Sequence, residues 1–176
     1  MNVPLDLGPC AVYFGIAGSE VNLGYTKGGV KVRFSEEYAA LVDDQHGTKP
    51  QERVLVGQGA EIDVPMAEYT LENMAFALHQ QYQILGGKKI VVGENKIGTK
   101  VRDTYANSLL LKKYVAGLPS TAVEDWIRFP KAAPTVTTLE LMFNATDQRV
   151  ISAVFYAFFD DNDILYFLGD ESVSYS

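Results

Sequence analysis

Apolar and polar residues alternate with a period of two in several parts of the chain, the pattern of strands with one buried face. In residues 30–34, Val30, Val32 and Phe34 share one face while Lys31 and Arg33 take the other. Residues 38–42 form a second short run that extends the first or pairs with it. Residues 53–56 and 60–66 predict further strands. In the latter, Ala60, Ile62, Val64 and Met66 alternate with Gly59, Glu61, Asp63 and Pro65. Pro65 has no N–H to give a ladder, which suits a strand end or an edge. Residues 88–92 predict another strand. Residues 135–143 alternate through Leu139, Leu141 and Phe143, and 144–148 make a hairpin connection to 150–159. Asp160-Asp-Asn-Asp163 is a turn before a last short strand at 164–168.

The helical period occurs once, over about residues 70–83. Thr70 suits the N-cap and Glu72 the positive first turn. Leu71, Met74, Ala75, Leu78 and Tyr82 make an apolar stripe; Asn73, His79, Gln80 and Gln83 form the wet face, and Gly86-Gly87 ends the element. Phe76 lies off the stripe, which fits either a wide apolar face or contact with another subunit. Residues 43–50 hold no apolar side chain and read as a polar loop. Residues 95–134 have no clear period, and Pro130-Lys-Ala-Ala-Pro134 reads as a connector. The pattern predicts a mainly β domain, a β-sandwich or barrel with one flanking helix, in a single unit over residues 1–176.

One run breaks the alternation. Residues 150–159 read Val-Ile-Ser-Ala-Val-Phe-Tyr-Ala-Phe-Phe, apolar on both faces. Such a strand is either covered twice within one chain or completed by a neighbouring subunit. The 176 residues are 47% hydrophobic with nine Phe and ten Tyr, enough for a real core. The net charge of −7, with scattered Lys and Arg, argues against sequence-specific nucleic-acid binding. The beginning lacks the basic and apolar regions of a signal peptide, and no apolar stretch nears the roughly 20 residues of a membrane helix. One cysteine, Cys10, forms no internal disulfide framework.

Candidate chemistry is sparse. His46 and His79 sit in no recognisable catalytic motif, and the two histidines and Cys10 do not reproduce zinc spacing. The glycines at 15–18 and 24–29 lack phosphate-loop spacing and read as turns. Asp160–Asp163 lacks the Gly and distal Glu of a calcium loop. The sequence implies no catalytic residue, metal or cofactor.

The order of short motifs resembles tail tube (major tail) proteins of tailed bacteriophages. Those motifs are Gly8-Pro9-Cys10, Gly28-Gly29-Val30, Tyr38, Asp44-Gln45, Gly47, Pro50 and Gly57. They continue with Glu61-Ile-Asp-Val-Pro-Met-Ala-Glu68, Thr70-Leu-Glu72, Pro130-Lys-Ala-Ala-Pro134, Leu139-Glu-Leu141 and Val154-Phe155. The resemblance implies a β-sandwich or barrel of the tail-tube type, hexameric rings whose strands join around a lumen, and rings stacked into a tube for genome ejection. It implies a non-enzymatic virion protein, assembled in the host cytoplasm without a membrane anchor. Its partners would be its own copies and other tail proteins, with DNA passing unbound through the lumen. Asp43, Asp44, Gln45, His46 and Arg53, in the loop at 43–53, are then candidates for ring stacking. Phe76, Phe155 and Phe158 are candidates for packing within a ring, and 95–134 is a second candidate contact region. An anionic lumen would repel phosphates over about 8–10 Å, though Lys31 and Arg33 interrupt the sign. A terminator or distal tail ring protein and a secretion-tube protein are structural alternatives; a small-molecule-binding module or hydrolase is the alternative from another class.

Overall fold

The computed structural model describes residues 9–42, 52–68, 70–78, 97–135, 146 and 149–173. The predicted strand at 88–92, the predicted strand at 135–143 beyond Thr135, the hairpin connection at 144–148 apart from residue 146, and the helix beyond Leu78 lie outside them. The described chain is mainly β and its strands pair antiparallel in one sheet, ordered β2-β1-β5-β7-β8-β4-β3. These are β1 (Cys10–Gly15), β2 (Val21–Asn22), β3 (Lys31–Leu41), β4 (Glu52–Met66), β5 (Asn107–Val115), β7 (Trp126–Thr135) and β8 (Ile151–Phe158). Two short strands attach off that path: β6 (Leu118–Pro119) on β5, and β9 (Phe167–Leu168) on β7. Helices α1 (Leu71–Ala77) and α2 (Val101–Thr104) and a 3-10 turn at Val123–Asp125 complete the described elements.

The sheet curls tightly around its core. In a flat sheet β1 and β8, three places apart, would stand about 14 Å from each other at ~4.8 Å per strand. Yet the rings of Phe14 and Phe155 meet edge to face with centroids 5.1 Å apart. The chain after β2 also reaches the end of β4: Thr26 bridges Met66, Lys27 N–H donates to Pro65 C=O at 3.0 Å, and Ala67 N–H donates to Tyr25 C=O at 2.8 Å. Val12, Phe14, Ile62, Val64, Leu109, Leu111, Phe129, Ile151, Ala153 and Phe155 fill the concave side.

Alternation in the sequence maps onto this core where strands are regular. Ala60, Ile62, Val64 and Met66 are buried, while Glu61, Asp63 and Pro65 face outward and are half-buried. The runs at 53–56 and 60–66 are one continuous strand, and 38–42 extends 30–34 into β3. β8 is not two-faced: Ile151, Ala153 and Phe155 point inward while Ser152 and Tyr156 are exposed. The doubly buried strand is β5 instead, at Ser108–Leu111, where Leu109 and Leu111 face the core. Leu110 lies on the opposite face, beside Tyr13 of β1 and Arg128 of β7.

Pro130–Pro134 is not a connector but part of β7, an inner strand. Both prolines sit where no ladder donor is needed. Pro130 falls where the β5–β7 register shifts, between the Leu109–Phe129 and Asn107–Ala132 pairs; Pro134 lies past the last of these. Of the predicted closing strand only Phe167–Leu168 pairs. The turn before it is as expected: Asp160 Oδ1 accepts from the N–H groups of Asn162 and Ile164 at 2.9 and 2.8 Å. Next to it Asp161 joins Lys131 and Arg102, at 3.2 and 2.9 Å, and these cations hold its carboxyl below the ordinary range, Lys131 foremost.

Helix α1 begins as its sequence predicts, with the Thr70 side chain accepting from Asn73 N–H. Asn73 itself corrects the predicted wet face. It is buried, and its Nδ2 donates to the carbonyls of Leu23 and Glu68, both at 3.0 Å. The amide thus ties α1 to two loops that would otherwise carry unsatisfied backbone acceptors. At Gly24, φ is +83° and an added Cβ would lie 2.3 Å from the Glu68 side chain, so only glycine fits.

The β5–β6 hairpin turns on Ala116 and Gly117, both with positive φ (50° and 82°), as a two-residue turn of this hand requires. Alanine is the strained member. We expect Ala116→Asn to raise unfolding stability by about 1 kcal/mol, measured by urea titration. An unchanged or lowered midpoint would show that the turn is not strained.

Candidate assembly surface

β4 has two halves with different surroundings. From Glu61 to Met66 it pairs with β8 on one side and, through Asp63, with β3 on the other. From Glu52 to Gln58 it pairs with β3 alone. Residues 35–41 and 52–59 therefore form a two-stranded ribbon running about 20 Å, at ~3.3 Å per residue, beyond the body of the sheet. Among the described residues no strand pairs with the outer edge of β3, nor with the second edge of β4 over Glu52–Gln58. Both edges carry backbone donors and acceptors open to another strand.

Near the body the ribbon is amphipathic. One face carries Lys31, Arg33, Ser35 and Glu37 opposite Asp63, Glu61, Gly59 and Gly57, with Arg33 and Glu61 paired at 2.5 Å. On the other face Val32 packs against the core, and the Phe34 ring, 47% exposed, meets Tyr166 at a tilt with centroids 4.7 Å apart. The register then shifts between Glu37 and Tyr38, leaving Val56 as an extra residue on β4. Such a bulge bends and twists the ribbon.

Beyond the bulge each face carries an exposed apolar pair beside a charged residue, Arg53 on one face and Glu52 on the other. Tyr38 opposes Leu55 on one face, and Ala39 opposes Val54 on the other. Tyr38 is 54% exposed, Leu55 45% and Val56 60%, with Leu41, Val42 and Val54 also exposed. An isolated exposed apolar residue is ordinary; a contiguous set on an open ribbon marks an interaction surface. The Tyr38 hydroxyl donates to Glu36, a bond that, with the carboxylate's charge, pushes the phenol pKa up.

Of the ring-stacking candidates, only Arg53 is among the described residues, near the open end of this ribbon. Arg53 lies in β4, paired with Ala40, whereas Asp43, Asp44, Gln45 and His46 lie outside the described residues. The ring-packing candidates are dispersed. Phe155 is fully buried, and Phe76 is half-buried against Phe14 at 5.6 Å. Both use their apolar surface inside the chain. Phe158, half-buried on the outward face opposite Lys131, is the one placed to meet a neighbour. The segment at 95–134 supplies β5 and β7, central strands of the sheet. Sequence reasoning missed Tyr38, Val54, Leu55 and Val56 as surface residues, because isolated apolar residues in short strand runs look like core.

A shallow groove of about 250 Å³ lies where the ribbon meets the body, lined by Phe34, Ser35, Glu36, Gln58, Gly59, Leu165 and Tyr166. Among the described residues no group of three His, Cys, Asp or Glu side chains is arranged to hold a metal. None of their helices is long and apolar enough to cross a membrane, which says nothing of strands. No protein-family model matches this chain, and no curated protein matches it.

The burial of Phe155 makes a definite prediction. Phe155→Ala should cost about 3–5 kcal/mol of folding stability, measured by denaturant titration of dilute protein. A loss under about 1 kcal/mol would show that Phe155 acts outside the core.

Proposed function

We propose that this chain is a structural subunit that assembles with its own copies into stacked rings forming a tube, in the manner of phage tail tube proteins. The observation that carries the proposal is the β3–β4 ribbon, which has two open edges and apolar side chains on both faces. Its edges are not equivalent, since one belongs to β3 and the other to β4. Pairing between unlike edges is heterologous, leaves a free edge on each new copy, and either closes into a ring or propagates. Pairing β3 to β3 would stop at a dimer. Exposed apolar side chains on two faces call for cover on each side, which a flat pairwise contact does not give.

The resemblance in sequence motifs supplies the finer parts of this proposal. From it come six subunits per ring, stacking through the loop at 43–53, and packing within a ring at Phe158. The same resemblance supplies a virion tail location, neighbouring tail proteins and passage of DNA through the lumen. A terminator, distal tail or secretion-tube subunit would use the ribbon in a similar way. A small-molecule-binding or hydrolytic role has less support: the groove at the ribbon base falls below the usual ~300–1,000 Å³ of ligand pockets.

Substitution on the ribbon tests the proposal. Leu55→Asp and Val54→Asp should each leave the circular dichroism spectrum unchanged, because both residues lie outside the core. Either should weaken assembly roughly a hundredfold or more, since burying an unpaired carboxylate costs several kcal/mol. Sedimentation profiles equal to those of the parent chain, across the concentration range in which the parent assembles, would overturn it.

A further inference from the structure

The C-terminal strap, residues 167–173, holds a sheet edge that nothing else covers among the described residues. β8 pairs with β7 only over Lys131–Thr135, which leaves Trp126–Pro130 open on that side. Only β9 fills the gap, pairing Phe167 with Arg128 and Leu168 with Ile127, and Gly169 N–H donates to Trp126 C=O at 2.9 Å. The strap places little apolar surface in the core: Leu168 is 62% exposed and Val173 is exposed as well. Just before it, Leu165 is buried and Tyr166 packs against Phe34 and Phe129, so the anchored chain ends at Tyr166.

One ionic clasp closes the strap. Glu171 pairs with Arg128, whose guanidinium also lies 3.6 Å from Glu20. The same Glu20 oxygen accepts from the Ser108 hydroxyl at 2.8 Å, and the other oxygen from Gly18 N–H at 3.0 Å. Arg128 therefore stays fixed to the body whether or not Glu171 is in place.

We infer that the strap is a latched cover over a reserve edge of β7, and that its opening admits a strand from a second copy. The occupant follows from the chain itself, because among the described residues no strand pairs with the outer edge of β3, eleven residues long. A two-residue strand held by a few backbone bonds and one clasp is a weak competitor for such an edge. This edge belongs to β7, beside the ribbon base where Phe129 stacks on Phe34, and is neither of the ribbon's own edges, so the inference does not require that tubes form.

A reversible lock tests it. The Gly169–Trp126 bond makes Ile127 and Leu168 a close, non-hydrogen-bonded pair, within the ~4.4–6.8 Å Cα separation that a disulfide spans. In a Cys10→Ala background, Ile127→Cys with Leu168→Cys should form that bond on oxidation. In a second variant, Glu171→Gln, hydrogen exchange at Arg128 and Gly169 should quicken at least tenfold while Leu111 is unchanged. Glu171→Gln should also self-associate more than the parent by sedimentation, and the oxidised lock less than the same protein reduced. Faster exchange with no added association, or a lock that associates equally in both redox states, would overturn the inference. Rings and tubes lost on Leu55→Asp, with a smaller association that the lock still controls, would separate this edge from the ribbon.

Discussion

Backbone pairing along β4 governs both the body of this protein and its most exposed part. The inner half of the strand lies between β3 and β8 and sends Ala60, Ile62, Val64 and Met66 into the core. Its outer half continues in the same direction with β3 as its only partner. A strand that serves both purposes fixes the ribbon to the core rigidly, because a one-residue slip would turn every inward side chain outward. The bulge at Val56 lies just beyond the core section, where the register can change without disturbing buried residues. The same rigid attachment leaves two edges without a partner among the described residues, with Tyr38, Val54, Leu55 and Val56 exposed. Isolated two-stranded ribbons are marginal in water, so this one depends on the body for its order.

Several elements were legible in the sequence for direct physical reasons. Alternation in 30–34 and 60–66 reports one wet face, and the structure places those residues accordingly. Thr70 marks the start of α1 because few residues satisfy a helix N-terminus. Asp160–Asp163 reads as a turn because its first carboxylate bonds backbone N–H groups nearby. Other elements escaped because tertiary context outweighed local pattern. Asn73 is polar and sits at an outward helical position, yet two loop carbonyls need its donors. Pro130 and Pro134 signal a break, but a register shift and the end of β5 give each a place within β7. The apolar run of β8 suggested two buried faces, whereas Ser152 and Tyr156 point outward and β5 is covered twice.

The assembly surface itself was legible only in outline. The polar stretch at 43–50 lies outside the described residues, and Arg53 stands near the open end of the ribbon. Nothing in the sequence tells that Tyr38, Val54 and Leu55 lie beyond the reach of the core. That follows from where β8 stops pairing with β4, a long-range fact with no local signal. Phe155 illustrates the converse: its conspicuous aromatic run suggested an interface, and its ring completes the core against Phe14.

The central claim is that the open ribbon drives self-assembly into closed, stackable rings. Negative-stain electron microscopy of the purified chain over increasing concentration tests it most directly. The account predicts rings of uniform diameter with a central channel, stacking into tubes as concentration rises. Particles that remain monomeric at the highest concentration reached, or only irregular aggregates without a channel, would contradict it.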